Sequence, residues 1–286
     1  MRYLDPKTDL TFKRVFGEHK DLMISFLNAM LPLEHGKDIV NLEYLEPELV
    51  PNSPTKKDSI VDVRCTDTAG RQFIVEMQMY WTNAFKKRAL LNTCKAYSMQ
   101  AEKGTVYSEL KAVYTLSLVN DIAFPNSADF YHEFVPTDKN DAKNIIGDFE
   151  MIFVELPKFA PQTRNEKRMQ VLWLRFLTEI KDQTTEIAPE LLAEEHLAKA
   201  IDILEESAYT DRQLLAYDKY WDMVSREKTA LEEKYSLGMK EGMKEGMKLG
   251  MEQGILSSAR AFLANGVPRD IVQQTLNLTD SQMALL

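Results

Sequence analysis

Residues 59–80, SIVDVRCTDTAGRQFIVEMQMY, constrain the fold most: two alternating runs stand on either side of Thr68-Ala69-Gly70. Alternation broken by three residues that include Gly predicts an antiparallel hairpin, with Gly70 in the left-handed conformation. Val61, Val63 and Cys65 fall on one face of the first strand, and Ile60, Asp62 and Arg64 on the other. On the second strand Phe73, Val75, Met77 and Met79 share a face against Ile74, Glu76, Gln78 and Tyr80. With Asp67 opposite Arg71, counting back along both strands sets Asp62 opposite Glu76, their Cβ atoms roughly 4.5–5.5 Å apart, on the face away from the core. Gln78 lies two residues further along that face. Carboxylates this close repel unless a proton or a cation lies between them. Mg²⁺ takes such oxygen ligands together with phosphate and water. The same residues also suit the wet face of a half-exposed hairpin.

At 286 residues, 44% hydrophobic and 28% charged, the chain is sized for one large domain, or a domain with an appendage, and has ample material for a core. No apolar run approaches the ~18 residues of a membrane span, and MRYLDPKTDL lacks the apolar centre of a signal peptide. A cytoplasmic protein without membrane contact is expected. The two cysteines, Cys65 and Cys94, are both expected in the core and exclude a cysteine zinc cage. His19, His35, His132 and His196 show no metal-ligand spacing and read as surface or cap residues. A net charge of −9 argues against polyanion binding over the whole surface, so any nucleic-acid contact is local. The long acid-free interval after Glu76, residues 77–101, carries Lys86, Lys87, Arg88 and Lys95.

Around the hairpin, the pattern predicts a short amphipathic helix at 9–16, a helix at 20–31 stopped by Pro32, a strand at 38–49 and a loop at Pro51-Asn52-Ser53-Pro54. Residues 82–103 follow as a helix with Asn83 as a possible cap. Leu90, Cys94, Tyr97 and Ala101 are expected on its buried side, and Arg88, Asn92 and Lys95 on another face. KAVYTLSLVN, within 110–120, is apolar enough for a central strand, and strands at 129–135 and 148–156 come after it.

Residues 20–120 thus read helix, strand, strand, strand, helix, strand, with a carboxylate in the second strand and Glu-x-Gln in the third. This order resembles the PD-(D/E)xK nuclease core. More narrowly, the chain resembles the Rpn family of recombination-promoting nucleases and transposases. DPKTDLTFKRVFG, MISFLNAML, SIVDVRCTDTAGRQFIVEMQ, KKRALLNTCKAYSMQ and FVELPKF carry the likeness, over about residues 1–235. It implies an α/β, restriction-endonuclease-like core of αβββαβ order, with a mixed central sheet and flanking helices, followed by a helical C-terminal region. It also implies Mg²⁺- or Mn²⁺-dependent hydrolysis of DNA phosphodiesters, linked to recombination or mobile elements.

In that reading Asp62, Glu76 and the Met77 backbone carbonyl ligate the metal. Gln78 stands where the parent motif has Lys; it can orient water or phosphate but brings no positive charge. Arg88, Lys95 and Lys13 are the candidates to supply that charge, and Lys86, Lys87, Arg88 and Lys95 to contact DNA. Arg88 and Lys95 read equally as a solvated helix face. Asp9 is either a further acid or a helix cap, and Tyr80 and Trp81 either stack on a nucleotide or finish the core. The alternative function is a nuclease-fold protein without catalysis that serves DNA binding or assembly.

The expected domains are a nuclease-like domain at 1–160 and a helical extension at 161–237, packed on it or oligomerising. Residues 238–254 form a Gly-Met-Lys-Glu repeat, either a tether or a helix ordered in an oligomer. A small helical module at 255–286 has Pro268 at a helix start and Thr279 as a cap. A homo-oligomer through the C-terminal helices is expected.

Overall fold

The computed structural model describes residues 2–49, 59–101, 104–161, 168–182 and 184–286; the Pro51-Asn52-Ser53-Pro54 loop lies outside them. The chain divides into two compact units, Met1–Val224 and Ser225–Leu286. In the first, Thr8 caps α1 (Asp9–Phe12) by accepting from the Thr11 N–H, and a π-helical turn, Lys13–Gly17, leads towards α2 (Lys20–Met30). β1 (Leu42–Tyr44), β2 (Glu48–Leu49), β3 (Ser59–Ile60), β4 (Val63–Asp67) and β5 (Gln72–Gln78) come next, so the strand expected at 38–49 is two short pieces. α3 (Asn83–Ser98), β6 (Val113–Val119), β7 (Tyr131–Phe134) and β8 (Phe149–Glu155) follow. α4 (Arg168–Glu179), α5 (Pro189–Leu192), α6 (Glu195–Ile203) and α7 (Asp211–Ala264) begin the helical region.

Six strands form one mixed sheet in the order β1-β4-β5-β6-β8-β7, and β2 pairs with β3 apart from it. β6, the apolar strand, is central and parallel to both neighbours, β5 and β8. The parallel β5–β6 pair requires a crossover, which α3 supplies. The β4–β5 hairpin has the expected register, Val63 opposite Val75 and Cys65 opposite Phe73. Gly70 turns it with a φ of +81°, and a Cβ there would stand 3.0 Å from Lys111 Cγ.

Both faces of the sheet are buried. Val63, Cys65, Phe73, Val75, Leu116 and Val154 face α2, the π turn, α4 and α6 in one large core. Ile74 and Val113 face Ala96 of α3, and Phe85 and Ala89 of α3 meet Val119 and Phe153. The face carrying Glu76 is therefore a second buried layer, not a wet surface. Val61 belongs to this second layer, against expectation, because the strand breaks at Asp62 and alternation does not carry across the break.

α3 differs from its sequence reading in two ways. Its cap is Thr82, whose side chain accepts from the Phe85 N–H, not Asn83. Its buried residues are Phe85, Ala89, Asn92, Thr93 and Ala96, while Leu90 and Cys94 are exposed. Small side chains on this face let the helix lie close to the sheet. His132, expected on the surface, pairs with the buried Glu155 at 2.8 Å, beside Lys158 at 2.8 Å. The second oxygen of Glu155 accepts from the N–H groups of Ala123 and Phe124, so this acid of FVELPKF fastens the loop after β6.

Trp173 of α4 is fully buried and lies 5.5 Å from Phe16, 5.6 Å from Phe26 and 5.5 Å from Phe176, between ring centroids. The segment beyond residue 160 thus shares the core of the sheet. In the second unit the Gly-Met-Lys-Glu repeat is helical within α7. Ala259 packs there with Val272 of α8 (Arg269–Leu276), Leu278, and Met283 of α9 (Asp280–Met283). Thr279 and Gln282 cap α9 reciprocally. No helix among the described residues is long and apolar enough to cross a membrane.

Removing the Trp173 indole leaves a large cavity where α4 meets α2 and the π turn, within the core they share with the sheet. Trp173→Ala is expected to lower the unfolding free energy by about 3–5 kcal/mol, measured by urea denaturation with circular dichroism. Sheet and helices should lose structure in one shifted transition, and an unshifted sheet would show that α4 is not part of its core.

Candidate active site

Asp62 sits where the β4–β5 ladder ends. The last paired residues are Val63 and Val75; two residues further along β5, the Met77 N–H takes the Asp62 carboxylate at 2.7 Å in place of a strand partner. N–H and C=O of one strand residue leave on the same edge, so the Met77 carbonyl is directed to the Asp62 side as well. The alternate residue, Gln78, bonds the other way, its carbonyl accepting from Asn120 at 2.8 Å. Asp62 lines an open cleft of about 460 Å³ together with Lys13, Glu18, Tyr44, Glu46 and Arg64.

Glu76 lies behind it under α3 and is only 4% exposed. Its Oε1 accepts from Asn92 Nδ2 at 2.9 Å, and its Oε2 is 3.6 Å from the Arg88 guanidinium. Arg88 also donates to Gln78 Oε1 at 2.9 Å and stacks over Phe85, while the Gln78 amide nitrogen donates to the Tyr80 carbonyl at 3.0 Å. This amide orientation satisfies an acceptor and a donor at once. One guanidinium is therefore held between a strand carboxylate and a strand amide while remaining half exposed.

Burial pushes both carboxyls above the usual carboxylate range. For Asp62 the rise reaches about 6: burial is the main cause, the Met77 N–H opposes it, and the charges of Glu76 and Asp9 add to it. For Glu76 burial outweighs the bonds from Asn92 and Arg88. A cation near both carboxylates would relieve the repulsion that Glu76 adds at Asp62. The donor set, two carboxylates and a strand carbonyl, is all hard oxygen and fits Mg²⁺ or Mn²⁺. Among the described residues no group of three or more His, Cys, Asp or Glu side chains gathers around a metal position. Two protein carboxylates are nonetheless what Mg²⁺ commonly takes beside water and phosphate.

The remaining expected residues separate into those near the carboxylates and those elsewhere. Asp9 and Lys13 form an ion pair at 2.7 Å, and both are close enough to shift Asp62. Lys95, two turns along α3 from Arg88, donates to the Leu49 carbonyl at 3.3 Å. Lys86 lies over the rings of Phe124 and Phe134 at 5.7 and 6.0 Å, and Lys87 is exposed. Trp81 packs edge-on against Phe85 and Phe153, and its backbone N–H donates to the Asp121 carboxylate, so it finishes the core. Asn92, expected beside Arg88 on an outer face, is fully buried against Glu76. Its signal in the sequence was its place among Phe85, Ala89, Thr93 and Ala96, a helical stripe of mostly small residues.

A mixed sheet flanked by helices, with two carboxylates where adjacent strands separate, defines a nuclease-like α/β fold. A family model described as PD-(D/E)XK nuclease family transposase matches residues 6–236. The chain belongs to that family, which supports a function of the nuclease or transposase type. Comparison with curated proteins and with solved structures gives no match.

The raised carboxyl of Asp62 has a consequence for stability. In the unfolded chain an Asp titrates near pH ~3.9, so between about pH 4 and pH 6 the folded state holds a proton that the unfolded chain has lost. Stability of the metal-free protein from this group therefore falls as pH rises through that window. Asp62→Asn, which keeps an acceptor for the Met77 N–H, is expected to stabilise the metal-free protein at pH 7.5 by about 1–3 kcal/mol. The gain should vanish below about pH 4. Thermal unfolding in EDTA measures both, and a destabilised Asn variant at pH 7.5 would contradict the assignment.

Proposed function

We propose that the chain is a divalent-metal-dependent DNA endonuclease acting in recombination or in the movement of mobile elements. The observation that carries this reading is the Arg88 guanidinium between Glu76 and Gln78. It supports a positive charge from the following helix where the parent motif's Lys is replaced by Gln78. Asp62, Glu76 and the Met77 carbonyl would hold Mg²⁺ or Mn²⁺. Such an ion, when bound, polarises the scissile phosphate and makes the attacking water more acidic.

The chain's own groups have separable tasks. Arg88 faces solvent with half its surface and meets the negative charge that grows on the phosphate oxygens in the transition state. Gln78 fixes the direction of that guanidinium through one amide atom and is itself fixed by the Tyr80 carbonyl through the other. Asn92 holds the Glu76 carboxylate from the buried face of α3. Lys13 brings a second cation to the cleft that contains Asp62, and Lys86 and Lys87 offer charge to the DNA backbone. Hydrolysis consumes one water and breaks one P–O bond. The C-terminal helices serve self-association.

Plasmid DNA incubated with Mg²⁺ or Mn²⁺ should be nicked or linearised, and EDTA should stop the reaction. Asp62→Ala and Glu76→Ala are each expected to abolish cleavage, whereas Arg88→Ala should slow it on the order of 10²-fold. Arg88→Lys should retain more activity than Arg88→Ala. Mn²⁺ should raise the melting temperature of the wild type but not of Glu76→Ala. Cleavage that survives loss of both carboxylates sinks the reading.

A further inference from the structure

In the second unit, residues 238–255 lie within α7 and repeat with a period of four. Four residues advance a helix by about 400°, so each residue type forms its own row, drifting about 40° per repeat. Around the helix the rows follow the order Gly, Met, Lys, Glu. Met239, Met243, Met247 and Met251 are 61–68% exposed, and Ile255 continues their row. The Lys row (Lys240, Lys244, Lys248) adjoins the Met row on one side. On the other side the Gly row intervenes before the Glu row (Glu241, Glu245).

These five charges are exposed, and none has an ion-pair partner among the described residues; the ion pair on this helix, Lys228 with Glu232, precedes the repeat. Along the helix Lys stands four residues from Lys and Glu four from Glu, which weakens an isolated helix, while Glu241 with Lys244 and Glu245 with Lys248, three residues apart, offset part of that. The exposed apolar row and the Gly row beside it thus lie between a Lys flank, closed by Glu252, and a Glu flank.

We propose that this face binds the same face of a second copy of the chain, with the two helices parallel and in register. Orientation follows from the charges. About a two-fold axis along the pair, the Lys flank of one helix meets the Glu flank of the other, as flanking charges do in parallel coiled coils. An antiparallel pair sets Lys against Lys and Glu against Glu. The Gly row beside the Met row lets the backbones approach, and the Met side chains fill the irregular space that is left. Because the contacting rows are four residues apart, the helices cross at about −50° instead of winding into a long coiled coil. The pairing also accounts for five glycines in a helix, where glycine is otherwise a poor choice. It stands independently of the nuclease reading.

Sedimentation equilibrium of the full chain at micromolar concentrations tests it, with a dimer expected. Gly242→Leu combined with Gly246→Leu should leave a monomer whose helicity by circular dichroism equals or exceeds the wild type's, since leucine is the better helix former. Loss of the dimer then does not report unfolding. Changing Lys240, Lys244 and Lys248 to Glu, or Glu241 and Glu245 to Lys, should each give monomers, and mixing the two variants should restore a heterodimer. In a Cys94→Ser background, which removes the exposed native thiol, Met243→Cys should form a disulfide with its own counterpart. A monomeric wild type, or a dimer that survives the Gly→Leu pair or either charge reversal, overturns the proposal. A dimer in which Met243→Cys fails to crosslink overturns the parallel arrangement.

Discussion

Burying the Glu76 carboxylate against a helix is costly unless its charge is met, and the way it is met sets much of what surrounds it. Asn92 reaches it from the buried face of α3 and half-exposed Arg88 from the solvent side of the same helix. The helix must therefore lie low over β5, which the small residues Ala89, Thr93 and Ala96 permit. On its other edge β5 gives up a ladder bond so that Asp62 can take the Met77 N–H. The result is a sheet that is continuous where it carries the core and open where it carries two carboxylates. Hydrogen bonds to a charged group contribute about 1.5–3 kcal/mol each, enough to hold this geometry but not enough to return Glu76 to the ordinary carboxylate range.

The fold was legible where local rules act alone. Gly70 and the alternation around it set the hairpin register correctly, and the apolar run of β6 marked the sheet centre. Reading failed at Val61 because alternation assumes an unbroken strand, and the break lies at the candidate site residue Asp62. It failed on α3 because ranking by hydrophobicity puts Leu90 and Cys94 inward. Close contact between a helix and a sheet selects for size, and a lone buried Asn looks like surface until its partner is known. His132 was missed for a similar reason: its partner, Glu155, lies at the end of the next strand, beyond the reach of local spacing.

Of the candidate site, the hairpin register holds as far as Val63 and Val75, one residue short of Asp62 and Glu76, and Arg88 stands out by its place in an acid-free stretch. What the sequence could not separate was Arg88 from Lys95. Both are basic and lie on one helix, yet one bridges Glu76 and Gln78 and the other bonds the Leu49 carbonyl. The difference arises from where α3 crosses β5, a tertiary fact with no local signature.

That division of labour makes the height of α3 a chemical variable. Glu76 is fixed to a strand, whereas the guanidinium that faces it rides on a helix. Its distance from that carboxylate is thus set by whatever lies between helix and sheet. Ala89, one residue after Arg88, is fully buried in that gap. A larger side chain there would act as a shim, lifting the guanidinium away from Glu76 while Arg88, Glu76 and Gln78 themselves stayed unchanged. Ala89, which carries no charge, thus helps to set how near the Arg88 guanidinium lies to Glu76.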